Sequence, residues 1–257
     1  MEGADLVAAG LAAGRQPQVV FVQAERAPEL GAALGLTGLA ASHAAVYPVT
    51  SRVAERISTL ETPPDVMAMF ALPERAAPSA LTAAAGRPGS PGLLVVYADG
   101  IGDPGNMGTL LRAAAAFGAG AFVTAPGSAD LFGPKTVRAG MGALFGLALF
   151  PEVGLAELLA AVPVARVYGL AAHGGTPLAE AGLERPAVLV VGAERLGISE
   201  QALPHIVCLV TIPVADGPGV ESLNAGVAGA IALYELSRRP RGGAADQPDA
   251  EPAPQEG

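Results

Sequence analysis

Apolar residues along this chain follow two alternating rhythms. Continuous apolar runs read as strands: QVVFVQ (18–23), AAVYPV (44–49), VMAMFAL (66–72), LLVVYAD (93–99), AFVTA (121–125), VLVVGAE (188–194) and CLVTIP (208–213). ARVYGLAAHGG (165–175) reads as a further strand ending in a glycine turn. Between them, apolar residues recur at three- and four-residue spacing and predict helices. These are Leu6 to Ala13, PELGAALGL, a helix capped by Thr50 or Ser51 that runs through Ile57, one beginning at Asn106, GLAELLAAV (154–162), and a last one ending at Arg238 before Pro240. Strands alternating with helices, several of them apolar throughout, predict an α/β fold with a parallel sheet covered on both faces.

The last helix is unusual. Its larger apolar positions, Val227, Ile231 and Tyr234, fall on one face, yet Gly226 and Gly229 sit inside it. A helical glycine costs about 1 kcal/mol against alanine. Two of them predict that another backbone, or a ligand, comes very close.

Pattern and composition together divide the chain into four parts. Residues 1–75 form a small α/β module. Residues 76–92, rich in Ala, Pro, Gly and Ser without periodicity, read as a linker. Residues 93–240 carry the main sheet, and 241–257 form a Pro-rich acidic tail expected to be disordered.

Charge narrows the function. The net charge is −9, with a single Lys among 15 basic residues, which argues against a generic polyanion binder. The distribution is uneven. The tail beyond Pro240 carries −3, whereas Asp130 is the only acid between Pro104 and Pro151, against Arg112, Lys135 and Arg138. A local basic region on an acidic body is compatible with RNA. No apolar run is long enough to cross a bilayer, and no basic segment precedes an apolar run at the N-terminus, so neither a membrane span nor a signal peptide is expected. One cysteine, Cys208, excludes an internal disulfide and fits a reducing cytoplasm. No metal-ligating spacing is present.

After the strand LLVVYAD comes GIGDPG, a G-x-G-x-x-G match at Gly100, Gly102 and Gly105. Dinucleotide binding is one reading. Pro104 removes an N–H from that loop, Asp103 adds a negative charge to it, and no acidic residue follows at the distance that a ribose contact needs.

Three stretches occur in order: DGIGDPGNMGTLLRAAAAFGA (99–119), VLVVGAERLGIS (188–199) and IP…ESLN (212–224) leading into a small-residue helix that ends in LYE. Together they resemble the three motifs of the TrmH/SpoU family of RNA ribose 2′-O-methyltransferases. The resemblance implies a SPOUT domain with a deep trefoil knot, preceded by an L30e-like RNA-binding domain whose end matches ETPPDVMAMF. It implies S-adenosyl-L-methionine as cofactor and a homodimer in the cytoplasm. RNA is the implied substrate, ribosomal first and transfer RNA second. A non-catalytic RNA-binding or assembly protein with the same fold is the alternative reading.

Site residues follow from the motifs. Arg112 is the implied catalytic residue, contacting phosphate and ribose. A guanidinium stays protonated, so stabilising a developing alkoxide suits it better than acting as a base. Asn106 and Asn224 orient the ribose and Arg112, and Glu194 accepts hydrogen bonds that hold the geometry. Leu170, Gly192, Ile212, Ser222 and Leu223 form the cofactor wall. Arg52, Arg56, Lys135 and Arg138 are the candidate RNA contacts, and His173 is left without a role. Two departures stand out. Gly140 replaces a usual serine, and Ala225-Gly226 follows Asn224 where the family has a small polar residue. Members also commonly begin with a longer basic leader than this chain has.

Overall fold

A computed structural model of the protein describes residues 1–36, 44–73, 81, 92–163, 165–215 and 222–238. The expected tail lies outside these residues, as does the expected linker apart from Leu81 and Gly92.

The first part runs α1 (Ala4–Ala12), β1 (Pro17–Gln23), α2 (Ala27–Ala33), β2 (Ala45–Val49), α3 (Ser51–Ile57) and β3 (Val66–Phe70). The sheet order is β2-β1-β3, with β2 parallel and β3 antiparallel to β1. Val20 and Val22 alternate with half-exposed neighbours along β1, as period two requires. They bury against Val7 of α1, Leu30 of α2, and Val66 and Ala68 of β3. Thr50 stands at the N-cap of α3 in extended backbone, but its side chain makes no capping bond.

The second part begins with β4 (Leu94–Asp99), α4 (Pro104–Ala116), β5 (Ala121–Thr124), α5 (Pro134–Gly140), β6 (Ala148–Phe150) and α6 (Leu155–Ala161). It continues with β7 (Arg166–Leu170), β8 (Thr176–Pro177), β9 (Ala187–Gly192), β10 (Cys208–Thr211) and α7 (Ala225–Arg238). These strands make one sheet, ordered β6-β5-β4-β9-β7-β10-β8, and its pairs are parallel. β4 and β9 occupy the middle, and every residue in them is buried. Their alternate side chains serve two cores. Leu94, Val96 and Ala98 face α4, α5 and α7, while Val95 and Tyr97 face α6. The short strands β6 and β8 were not anticipated, since three and two residues leave no readable period.

Glycines explain how the helices pack on the first of those faces. A Cβ on Gly226 would lie 3.0 Å from the Thr109 Cβ and 3.1 Å from the Asn106 carbonyl oxygen, and one on Gly229 would strike Leu110. The two helical glycines of α7 therefore answer to the close approach of α4. Gly108 of α4 does the same against α5, where a Cβ would lie 2.6 Å from the Thr136 carbonyl oxygen and 2.9 Å from the Gly140 nitrogen. This close face of α7 buries Gly226, Gly229, Ala232, Leu233 and Leu236, and the face with Val227, Ile231 and Tyr234 points outward.

The two parts touch through α1 and α5. Phe70 and Phe145 meet edge to face at 6.0 Å, and the Arg138 guanidinium donates to the Glu2 carboxylate at 3.0 Å and the Thr59 hydroxyl at 2.9 Å. Glu2 in turn accepts from the Thr59 N–H at 2.7 Å.

Candidate active site

Three loops at the carboxyl ends of β7, β9 and β10 surround a cavity of about 700 Å³. Parallel sheets bind ligands at this end, and the size suits a cofactor-sized molecule. All five residues expected to form a cofactor wall, Leu170, Gly192, Ile212, Ser222 and Leu223, line it, together with Glu194 and Asn224. His173 and Arg195, in two of these loops, also line it and are exposed.

The β9 loop is folded tightly on itself. Ala193 and Gly197 exchange both backbone hydrogen bonds at 2.9 Å, and Gly197 takes φ 69°, which favours glycine. A Cβ on Gly192 would collide with the backbone of Gly197 and Ile198. Gly192 thus makes room for its own loop and lines the cavity as well.

Glu194 projects from that loop to the start of α4. It accepts from Nδ2 of Asn106 at 2.7 Å and from the backbone N–H groups of Gly102 and Asp103 at 3.3 Å each. Burial pushes its carboxyl up, but the bonds from Asn106 and these backbone donors outweigh that and leave it below its ordinary value. Oδ1 of Asn106 accepts from Nδ2 of Asn224 at 2.7 Å, and Oδ1 of Asn224 accepts from the Val227 N–H at 3.2 Å. Each end of this relay fixes the amide orientations independently. A carboxylate can only accept and a backbone N–H can only donate, and both ends agree on the same flips. The relay joins α4, the β9 loop and α7 at the mouth of the cavity.

Asp103 caps α4, accepting from the Asn106 N–H at 2.9 Å, and Pro104 occupies the first turn. The helix therefore begins at Pro104 and not at Asn106 as expected. DPGN is a capped helix start, so Asp103 and Pro104 have a structural reason to be there. The Asp103 carboxyl is held low, first by the Asn106 N–H and then by Lys135, whose ammonium lies 3.2 Å away.

The other expected residues lie apart from the relay. Arg112 sits on α4, exposed, with no hydrogen bond or ion pair to another described residue, and it does not line the cavity. Asn106 and Asn224 thus hold each other and Glu194, not Arg112. Arg52 and Arg56 are exposed on α3. Lys135 is engaged with Asp103 in an exposed ion pair, and Arg138 is engaged between the two parts of the molecule. Spacing could not reveal these partners, because Glu2 and Asp103 are distant in sequence from the residues they hold.

Residues 93–234 match the SpoU rRNA Methylase family. The chain is 30 % identical over 192 residues to the 23S rRNA (guanosine(2553)-2′-O)-methyltransferase RlmP of Bacillus subtilis, an alignment that covers 74 % of this chain and 71 % of RlmP. It spans about half the length of several other curated relatives, 50 % and 52 % in two mycobacterial tRNA/rRNA methyltransferases. Among solved structures, a putative RNA methyltransferase of the TrmH family from Porphyromonas gingivalis is 33 % identical, with a TM-score of 0.71 over 92 % of this chain and 88 % of that one. The SpoU methyltransferase AviRb of Streptomyces viridochromogenes, solved with AdoMet, shares the fold at 23 % identity, with a TM-score of 0.77 over 93 % of this chain and 88 % of that one. The family match, the parallel sheet and the loop-lined cavity agree, and the chain belongs to the SpoU rRNA methylase family.

Proposed function

We propose that this protein transfers a methyl group from S-adenosyl-L-methionine to the 2′-hydroxyl of a ribose in RNA, ribosomal RNA first and transfer RNA second. The observation that carries the reading is the relay Glu194–Asn106–Asn224 at the mouth of a glycine-walled cavity. The cavity fits such a cofactor. Leu170, Val191, Ile212 and Leu223 offer apolar surface for a purine, and the folded β9 loop brings backbone polar groups to its edge.

The cofactor supplies an already activated methyl group on sulfur. What remains for the chain is to align the attacking oxygen and to ease loss of its proton. Glu194 is held ionised by three donors, which suits a fixed acceptor better than a base. The unused N–H groups of Asn106 and Asn224 are the donors nearest the cavity mouth for a ribose oxygen. Arg112, free of internal partners among the described residues, is left to meet phosphate and the developing alkoxide.

The first 75 residues form an L30e-like RNA-binding module in this reading, with Arg52 and Arg56 as its contacts. The second part is a SPOUT domain with a deep trefoil knot in this reading, and the packing of α7 over β9 and β7 supports it. The protein works in the cytoplasm as a homodimer through α7 and α4. The outward face Val227, Ile231 and Tyr234 is the apolar surface available for it, because the small face of α7 is already used within the chain.

The test is calorimetry with S-adenosylmethionine, followed by mapping of 2′-O-methyl sites in ribosomal RNA from a strain lacking the gene. Micromolar binding and a single ribose that regains its methyl group on adding the protein are expected. Absence of binding by the intact chain, or methylation of a base nitrogen in place of the ribose, would overturn the proposal.

A further inference from the structure

Asp99 is the one buried carboxylate among the described residues, 5 % exposed at the end of β4. It stands opposite Gly192 in the ladder, beside the root of the cofactor loop. Its Oδ2 accepts from the Ser199 N–H at 2.7 Å and its Oδ1 from the Ser199 hydroxyl at 3.1 Å. The same hydroxyl accepts from the Ala202 N–H at 3.2 Å. Burying a carboxylate is costly unless its oxygens are satisfied, and here a single residue satisfies both. Asp99 shares its face of β4 with Tyr97, two residues earlier. Burial first, and the Asp99 charge second, push the Tyr97 hydroxyl up to about 12.

The loop that leaves β9 is thereby bolted at both ends. At its near end Glu194 grips Gly102, Asp103 and Asn106 on the α4 side of the sheet. At its far end Ser199 is gripped by Asp99 on the α6 side. Between the two bolts lie Arg195, Leu196 and Gly197, all lining the cavity. Release of the far bolt would leave Glu194 attached to a loop whose other end can swing.

We propose that Asp99 is a positioning residue, which acts through Ser199 to set the shape of the cofactor loop and so the affinity for S-adenosylmethionine. The inference rests on the methyl-transfer reading above. Asp99→Ala removes both bonds, whereas Ser199→Ala removes the hydroxyl bond and keeps the backbone one, so the effect of Ser199→Ala should be the smaller and be contained in that of Asp99→Ala. Asn at position 99 can keep both contacts. Its oxygen accepts from the Ser199 N–H, and its amide donates to the hydroxyl, which has a spare lone pair.

The experiment measures cofactor affinity by calorimetry for the intact chain and for Asp99→Ala, Asp99→Asn, Ser199→Ala and the Asp99→Ala/Ser199→Ala pair, with rRNA affinity and melting temperature measured alongside. The expected result is a Kd for S-adenosylmethionine raised about tenfold or more in Asp99→Ala and about threefold or more in Ser199→Ala, which keeps the backbone bond. The pair should be no worse than Asp99→Ala alone, Asp99→Asn should stay within about threefold of the intact chain, and rRNA affinity should not change. Ser199→Ala probes the same contact from its other side if Asp99→Ala does not fold. Unchanged cofactor affinity in Ser199→Ala, losses that multiply in the pair, or a parallel fall in RNA affinity would overturn the proposal. If the intact chain itself binds no S-adenosylmethionine, the functional reading fails first, and this inference falls with it.

Discussion

At Glu194 an acceptor-only side chain sets the orientation of two amides and ties three elements together. The folded protein holds its carboxyl below the ordinary value of 4.5. A depressed value means that the ionised form is favoured by folding. Its stabilisation is present above 4.5 and is lost as acid protonates the group through its lowered value. The melting temperature of the intact chain should therefore exceed that of Glu194→Gln at neutral pH, and the gap should close on acidification below the ordinary value. A gap that stays constant from neutral to acid pH would show that the ionised carboxylate does not hold the loop. Arg112 poses the opposite case, a cation with no hydrogen bond or ion pair to another described residue. Arg112→Ala should keep cofactor affinity within about threefold and lower single-turnover methyl transfer about a hundred- to thousandfold. Arg112→Lys should recover little, because a point charge cannot reproduce the planar fork. A rate for Arg112→Ala near that of the intact chain would remove Arg112 from the reaction.

At the scale of elements, α4 is the strut against which the site is built. It carries Asn106 at its start, meets α5 through Gly108 and α7 through Gly226, and lies on the core face of β4. The glycines are there for approach and not for flexibility. Gly108→Ala should destabilise the fold by about 1–3 kcal/mol from overpacking, even after the gain of about 1 kcal/mol in helix propensity, because the carbonyl oxygen and nitrogen it meets are backbone and cannot turn aside. Gly146→Ala, with nothing within 4 Å of the added carbon, is the control and should change stability by less than about 0.5 kcal/mol. Denaturant melts that give both variants the same midpoint would refute this account of the α4–α5 contact.

For the whole molecule, the two parts are joined by both apolar and charged contacts, with Leu6 of α1 buried in the core of the second part. Arg138 links a catalytic-side helix to Glu2 and Thr59, and the Phe70–Phe145 pair fills the space beside it. If the first part holds RNA as proposed, that contact would set how the RNA meets the cavity of the second. A second copy would cover the outward face of α7, where Val227 is 45 %, Ile231 38 % and Tyr234 49 % exposed. Three such residues on one helix form an apolar stripe that water does not favour. Ile231→Asp is expected to give a monomer by sedimentation at micromolar concentration while the fold is kept, because this face contributes little to the chain's own core. A dimer that survives Ile231→Asp would place the interface elsewhere.

Much of this protein was legible in its residues, and the physical reasons are local. Fully buried strands such as β4 and β9 have to be apolar throughout, and α6 has to carry periodic apolar positions, so pattern locates the sheet and one covering layer, whereas in α7 the periodic large positions point outward and small residues with leucines form the buried face. Motif order located the cavity wall: Gly192 ends β9, and Ser222 and Asn224 lie between β10 and α7. Tertiary structure decided what depends on distant partners. Two glycines in α7 predicted a close neighbour, but only the fold shows that the neighbour is α4. Arg138 read as a free cation until Glu2, remote in sequence, was seen to hold it. Asp99 read as the last residue of a strand, and its bond to Ser199 exists because β4 and β9 lie side by side. Periodicity records whether a residue is buried, whereas the identity of its partner is set by the order in which strands assemble.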